Sequence, residues 1–241
     1  MFGTFKKVVR KAFLTAGVDI RRTGPSPLVW LRTQNIGTVF DIGANTGEFA
    51  ALVHTLLPEA TIYSFEPLKE CYTRLVSKMK AVPGFRAFDF ALGDRECESE
   101  MHRSKFSPSS SILSMAKLHK ELFPFTEEEG TEKIRVRRLD DVAMELYCPE
   151  NILVKIDVQG YEDKVILGGK ELISRAKILI VEISFQTLYE GQPLFDEIYD
   201  MLRTMWFVYA GSVEQIKSPI DGSVLQSDSI FLKRAPSEEP R

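Results

Sequence analysis

Acids close the apolar runs of this chain: Asp41 follows Val39 and Phe40, Glu66 follows Phe65, Asp157 follows Ile156, and Glu182 follows Val181. A carboxylate at a strand end can hold an ammonium, accept hydroxyls or take up a proton. Asp41 opens the string Asp41-Ile42-Gly43-Ala44-Asn45-Thr46-Gly47, set between an apolar run and a helical pattern. Glycines let the main chain turn sharply and approach a ligand, and the next helix N-terminus offers unpaired N–H donors. An acid here would repel a phosphate, and the Gly-x-Gly-x-x-Gly pattern of a pyrophosphate cradle is not met. The combination suits a zwitterion, its ammonium on Asp41 and its carboxylate on the N–H groups of the Gly43, Ala44, Asn45 and Gly47 turn.

Glu66 stands 19 residues after Gly47, at the end of the second run and just before Pro67. An acid in that position typically accepts both ribose hydroxyls. Asp89, closing the third run, is expected to reach an adenine amino group, with Phe90 and Ala91 beside the ring. A ribonucleoside carrying an amino-acid tail fits this set, and S-adenosylmethionine is such a molecule.

A second constellation is Lys155-Ile156-Asp157-Val158-Gln159-Gly160-Tyr161-Glu162. Lys155 lies within an apolar run, and a buried ammonium needs a partner. Alternation puts Lys155 and Asp157 on one face. A carboxylate so placed can serve as a general base for a reacting hydroxyl. Asp157 is the first candidate and Glu182 the second, with Lys155 tuning or orienting them; His119 is a third possibility. A divalent ion held by Asp157 and Glu182 would serve the same end, but with no third ligand in view the expectation is activity without added metal.

These residues must be positioned by alternating strands and helices. Strands are expected at Thr38 to Ile42, Thr61 to Phe65, Phe85 to Phe90, Ile152 to Ile156, Lys177 to Ile183, Trp206 to Ala210 and Ser229 to Leu232. Phe49, Leu52, Val53, Leu56 and Leu57 recur at helical spacing before Pro58, as do Tyr72, Leu75, Val76 and Met79, and Phe195, Ile198, Tyr199 and Leu202. The pattern predicts an α/β, Rossmann-like doubly wound sheet of seven mostly parallel strands, the last one antiparallel. Residues 93 to 150 break the rhythm as an insertion with a Ser-rich run (Ser107, Ser109, Ser110, Ser111), a short helix from Met115 and a strand at Lys133 to Arg137. Such insertions commonly cover active sites.

The 241 residues, 44% apolar and 27% charged with a net charge of −3, exclude a disordered chain and a whole-protein nucleic-acid footprint. No apolar stretch reaches the roughly 18 residues of a membrane span. Three scattered cysteines without a Cys-x-x-Cys pair, and no secretory leader pattern, point to the cytoplasm. Residues 1 to 35 carry seven basic side chains against Asp19 alone. They are expected to form a basic helical arm, able to touch a membrane surface or polyanion. Residues 36 to 234 form the main domain and 235 to 241 a tail. The oligomeric state is not encoded in any recognisable way.

From Thr38 to Leu232 the sequence resembles the FkbM-type S-adenosylmethionine-dependent methyltransferases of the seven-strand class I fold. The resemblance rests on Phe40 to Gly47, Phe65-Glu66-Pro67, Ala91-Leu92-Gly93-Asp94, Ser109 to Ser111, Leu139-Asp140-Asp141, Lys155 to Glu162 and Leu188-Tyr189-Glu190-Gly191-Gln192. Gln159 stands where members commonly carry Glu. The resemblance implies O-methylation of a hydroxyl on a small molecule, sugar or glycan. Two other readings remain: a catalytically inactive nucleoside-binding module, and a nucleic-acid methyltransferase. For the last, the basic arm speaks in favour and the missing Asn/Asp-Pro-Pro-aromatic motif against.

Overall fold

A computed structural model describes residues 26–149 and 151–234. Most of the basic arm and the C-terminal tail lie outside the described residues. By its internal contacts the chain divides into residues 1–30 and 31–241. Of the first unit, residues 26–28 lead through a turn into the 3-10 helix Val29–Thr33.

The second unit is built on a seven-stranded sheet. Its strands are β1 (Thr38–Ile42), β2 (Thr61–Phe65), β3 (Phe85–Phe88), β7 (Ile152–Ile156), β8 (Ala176–Ser184), β9 (Phe207–Lys217) and β10 (Val224–Lys233), in the order β3-β2-β1-β7-β8-β10-β9. The central strands are near-continuous apolar runs because helices cover both faces. β1, β2, β3, β7 and β8 pair in parallel, and β10 runs antiparallel to both β8 and β9. The expected mixed sheet with an antiparallel last strand is what forms.

Helices α1 (Glu48–Leu56) and α2 (Lys69–Met79) follow β1 and β2, burying Ala50, Val53, Leu56, Cys71, Leu75 and Met79. This is the helical spacing read from the sequence, although Leu52 and Val76 face outward. On one sheet face Phe40, Phe65 and Phe88 stack in turn and Tyr63 meets Phe40 and Phe88 at a tilt, centroids 4.9–6.4 Å apart. Alternation sends Asp41 and Ser64 to the other face.

The insertion is more ordered than its composition implied. β4 (Ala91–Gly93), β5 (Cys97–Ser104) and β6 (Glu128–Arg138) make a separate three-stranded sheet in the order β4-β6-β5. Between them lie the 3-10 turn Ser107–Ser109 and the helix α3 (Lys117–Leu122), which starts two residues after Met115. α4 (Leu139–Met144), α5 (Glu162–Gly168), α6 (Lys170–Arg175) and α7 (Phe195–Thr204) complete the unit. α5 docks closely on β4, since a Cβ at Gly168 would lie 1.9 Å from the carbonyl oxygen of Gly93.

The third strand stops at Phe88, before Phe90. Phe90 turns into the aromatic cluster, 5.6–5.8 Å from Phe88 and Phe65. Among the described residues no helix is long and apolar enough to cross a membrane.

Candidate active site

The carboxyl ends of β1, β2 and β7 open onto a cavity. One wall is Gly43, Asn45 and Glu66, another is Asp157, Val158 and Gln159, and the insertion closes it with Ser107, Pro108 and Ser110.

The β1 loop is wound tightly. Gly43 has φ 79°, and a Cβ there would lie 1.8 Å from the carbonyl oxygen of Asp157, so glycine lets the loops after β1 and β7 touch. Asn45 (φ 46°) and Gly47 (φ 87°) are also left-handed. The N–H groups of Gly43 and Ala44 donate to the carbonyl of Phe65, that of Thr46 to its neighbour Asn45 Oδ1, and that of Gly47 to the carbonyl of Ala44. Asn45 N–H donates to Glu66 Oε2 at 2.9 Å. The expectation that these amides await a ligand carboxylate is thereby corrected: they hold the loop's own shape.

Glu66 borders the cavity and is almost wholly buried. Its Oε1 accepts from Leu68 N–H at 2.8 Å while Oε2 is held by Asn45. Each oxygen keeps acceptor capacity toward the cavity. Burial pushes its carboxyl up to about 7 against the pull of those two amides.

Asp41 does not border the cavity. It pairs in register with Ser64 and Lys155, is fully buried, and accepts from Ser64 Oγ at 3.2 Å while Oδ1 lies 3.8 Å from Lys155 Nζ. Burial raises its proton affinity and Lys155 opposes that rise. The expected ammonium site is thus a floor beneath the loop, already facing the chain's own ammonium. Lys155 donates to Asp157 Oδ2 at 2.9 Å, and the Phe49 ring lies 5.4 Å from its Nζ. Burial alone would depress its pKa, but Asp157 and Asp41 hold it above the ordinary lysine value.

Asp157 Oδ1 accepts from Gln159 Nε2 at 2.8 Å, and the same nitrogen donates to Glu182 Oε2 at 2.6 Å. Glu182 accepts also from Gln226 at 3.0 Å and stands opposite Asp228 across the β8–β10 pairing. Burial raises Glu182 well above the ordinary value, reinforced by Asp157, Glu162 and Asp228. Asp228 is itself pushed up to about 6 by burial and by Asp157.

The structure therefore brings together Gly43, Asn45, Glu66, Pro67, Ala91 and Asp157 around one cavity, with Lys155 and Glu182 one side chain behind. It does not bring Asp89 there. That acid is exposed and pairs with Arg135 at 2.9 Å, because β3 ends one residue earlier and lets it turn outward. His119 is buried away from the cavity. Thr126 Oγ1 donates to the carbonyl of Phe123, so His119 Nε2 must donate to Thr126 at 2.9 Å. Nδ1 is then the lone-pair nitrogen, without a partner, and burial lowers the ring's proton affinity.

Three features escaped the sequence reading. Glu162 turns back to accept from the amides of Val158 and Gly160, both at 3.1 Å, and is pushed up to about 7 by burial. Its place in the Lys155 to Glu162 string was the available signal. Asp228 could have been noticed as one acid between two serines, Ser227 and Ser229. For Gln159 the available signal was its place in the same Lys155 to Glu162 string, where members of the resembled family commonly carry Glu. Among the described residues no three His, Cys, Asp or Glu side chains are arranged to hold a metal ion.

A family model described as the methyltransferase FkbM domain matches residues 41–209. The 2-O-methyltransferase NoeI of Sinorhizobium fredii is 31% identical over 193 residues, covering 78% of this chain and 77% of its own. The hexuronic acid methyltransferase AglP of Haloferax volcanii is 26% identical over 145 residues, covering 60% of this chain and 55% of its own. Among solved structures, Aeropyrum pernix fibrillarin with natively bound S-adenosyl-L-methionine overlaps 82% of this chain and 66% of its own. Its identity is 10% and its TM-score 0.46, a likeness too loose to bear on function.

Proposed function

The chain belongs to the FkbM methyltransferase family and is an S-adenosylmethionine-dependent O-methyltransferase; we propose that its acceptor is a sugar or glycan hydroxyl and that Asp157 receives the hydroxyl proton. The observation that carries the second part is the position of Asp157. It borders the cavity, whereas Glu182 lies behind Gln159. The names of the two relatives, a 2-O-methyltransferase and a hexuronic acid methyltransferase, support a carbohydrate acceptor.

The residues present fit the cofactor. A nearly buried carboxylate with acceptor capacity on both oxygens, on the wall of a cavity at the strand ends, is what a ribose diol requires. Glu66 is the residue for the ribose, with Asn45 and Leu68 fixing its carboxylate. Gly43, Asn45, Pro67 and Ala91 supply the surrounding wall. S-adenosylmethionine, when bound, supplies an electrophilic methyl carbon whose leaving group is a neutral thioether, so no acid is needed at the sulfur.

The remaining work falls to this chain's side chains. Asp157 must sit within hydrogen-bond reach of the acceptor hydroxyl and take its proton as the new bond forms. Lys155 and Gln159 each hold one of its oxygens, which fixes the carboxylate plane. Alignment of the two reactants, worth up to about 7–11 kcal/mol in favourable cases, falls to the loops that wall the cavity. We take the chain to work without a metal, and the observation that would reverse this is transfer lost to a chelator and restored by magnesium.

The test is incubation of the full chain with methyl-tritiated cofactor and a panel of methyl glycosides of hexoses and hexuronic acids. Label is expected in the glycoside fraction. It should disappear in Asp157→Asn while the thermal shift given by S-adenosylhomocysteine persists. Undiminished label with Asp157→Asn would remove Asp157 as the base. Label found only in protein, lipid or nucleic acid of an added host extract would remove the carbohydrate acceptor.

A further inference from the structure

We infer that Gln159 is a positioning residue, holding the carboxylates of Asp157 and Glu182 as one hydrogen-bonded pair, with Tyr189 fixing which way round its amide lies. Its catalytic meaning rests on the reading of Asp157 as the base; its geometry does not.

An amide nitrogen carries two N–H donors and its oxygen only accepts. Gln159 Nε2 lies 2.8 Å from Asp157 Oδ1 and 2.6 Å from Glu182 Oε2, so each hydrogen has one carboxylate. On the other side, Oε1 lies 2.9 Å from the Tyr189 hydroxyl, which donates to it. Turned the other way, the amide would set its oxygen against two carboxylates. Acids and phenol therefore agree on one orientation.

The residue is held at its main chain as well. Gln159 has φ 58° and Gly160 φ 95°, a left-handed pair that bends the chain back over the sheet end. Glu162 clamps the amides on either side of Gln159, and Ser111 Oγ donates to its carbonyl at 2.6 Å. The Tyr189 hydroxyl also lies 3.0 Å from the carbonyl of Ser109, next to Pro108 and Ser110 of the cavity wall. Its single proton is thus shared between the insertion and the amide.

The need for such a residue follows from the charges that face the pair. Asp157 has Lys155 beneath it, and beyond that Asp41. Glu182 has Asp228 across the strand pairing, Glu162 near, Gln226 as a donor and Tyr189 above the amide. One ammonium serves several acids. Two neighbouring carboxylates without a donor between them come to share a proton. The amide keeps both as hydrogen-bond acceptors, and keeps Asp157 turned toward the cavity.

The test reads the carboxyls themselves. Carbon-13 carboxyl NMR titration of the full chain with S-adenosylhomocysteine present would follow Glu182, assigned by loss of its signal in Glu182→Gln. Gln159→Met keeps the side-chain length and removes the amide. It is expected to raise the Glu182 midpoint by about one pH unit or more, with the nucleoside still bound. Tyr189→Phe should move it in the same direction by less. An unchanged midpoint in both variants would overturn the inference. Should Gln159→Met fail to bind S-adenosylhomocysteine, Tyr189→Phe decides alone, in the same two senses. No acceptor enters this titration, so its failure leaves the role of Asp157 untouched. Transfer surviving in Asp157→Asn would remove the base and leave the titration standing.

Discussion

Replacing Lys155 by Met leaves an apolar stem against Phe49 and removes the ammonium that faces Asp157 at 2.9 Å and Asp41 at 3.8 Å. At an effective dielectric of about 20 those attractions are about 6 and about 4 kcal/mol gross, offset by the desolvation of three charges. Asp41 has no water to turn to, being fully buried. It escapes by taking up a proton. Protonating a carboxyl of ordinary value 3.8 costs about 1.36 kcal/mol per pH unit, hence up to about 4 kcal/mol at pH 7. Since burial already raises Asp41 in the native protein, the expected penalty is about 3 kcal/mol, at the lower end for a broken buried pair. The sign with pH is fixed. Folded Lys155→Met keeps the proton that the unfolded chain releases above 3.8, so its stability falls as pH rises, and between pH 7 and 5 the penalty should narrow by up to about 3 kcal/mol. Urea unfolding followed by circular dichroism at pH 5, 6 and 7, for both proteins, measures this. A penalty that is the same at pH 5 and 7 would refute the reasoning.

Glu66→Gln presents an NH2 group to one of the two amides its carboxylate now accepts from, and should weaken S-adenosylhomocysteine binding by about 2 kcal/mol in calorimetry. In the native protein the same affinity should fall as pH drops below about 7, because a protonated Glu66 no longer offers both oxygens as acceptors; equal affinities at pH 6 and 8 would speak against it. Gly43→Ala drives a methyl to 1.8 Å from the Asp157 carbonyl at a positive φ, and is expected to cost about 3 kcal/mol or more and to abolish nucleoside binding, read by thermal unfolding. Glu162 holds a proton in the fold up to about 7 that the unfolded chain releases near 4.5, so it destabilises the protein progressively as pH rises through that window. Glu162→Gln keeps an oxygen for Val158 and Gly160, and should gain up to about 3 kcal/mol relative to the native protein between pH 5 and pH 8. A parallel pH dependence of the two would contradict that.

The sheet was legible because its central strands are buried on both faces and read as unbroken apolar runs, and because the β1 loop and Glu66 follow local rules of chain geometry. The finer placement was not. The apolar run continues to Phe90, but β3 ends at Phe88, which sends Asp89 outward and Phe90 into the aromatic cluster. Local spacing offers Asp41 to an external ammonium, yet the strand register sets it beside Lys155, a pairing that only the neighbouring strand reveals. The small sheet of the insertion joins β5 and β6 across more than 20 residues of intervening chain; the alternation of Ile134 and Val136 announces only the end of β6, while β5 is charged and half exposed. Gln159 acquires its part from a left-handed backbone and from Glu182 and Tyr189, 23 and 30 residues away, which local spacing does not reveal.

The central claim is that one cavity seats the nucleoside on Glu66 and aims its sulfur toward Asp157. A crystal structure of the full chain with S-adenosylhomocysteine tests it. The ribose hydroxyls should lie within hydrogen-bond distance of the two Glu66 oxygens, with the sulfur on the side of the cavity that Asp157 borders. A ribose seated away from Glu66, or a sulfur turned to the opposite wall, would contradict the account.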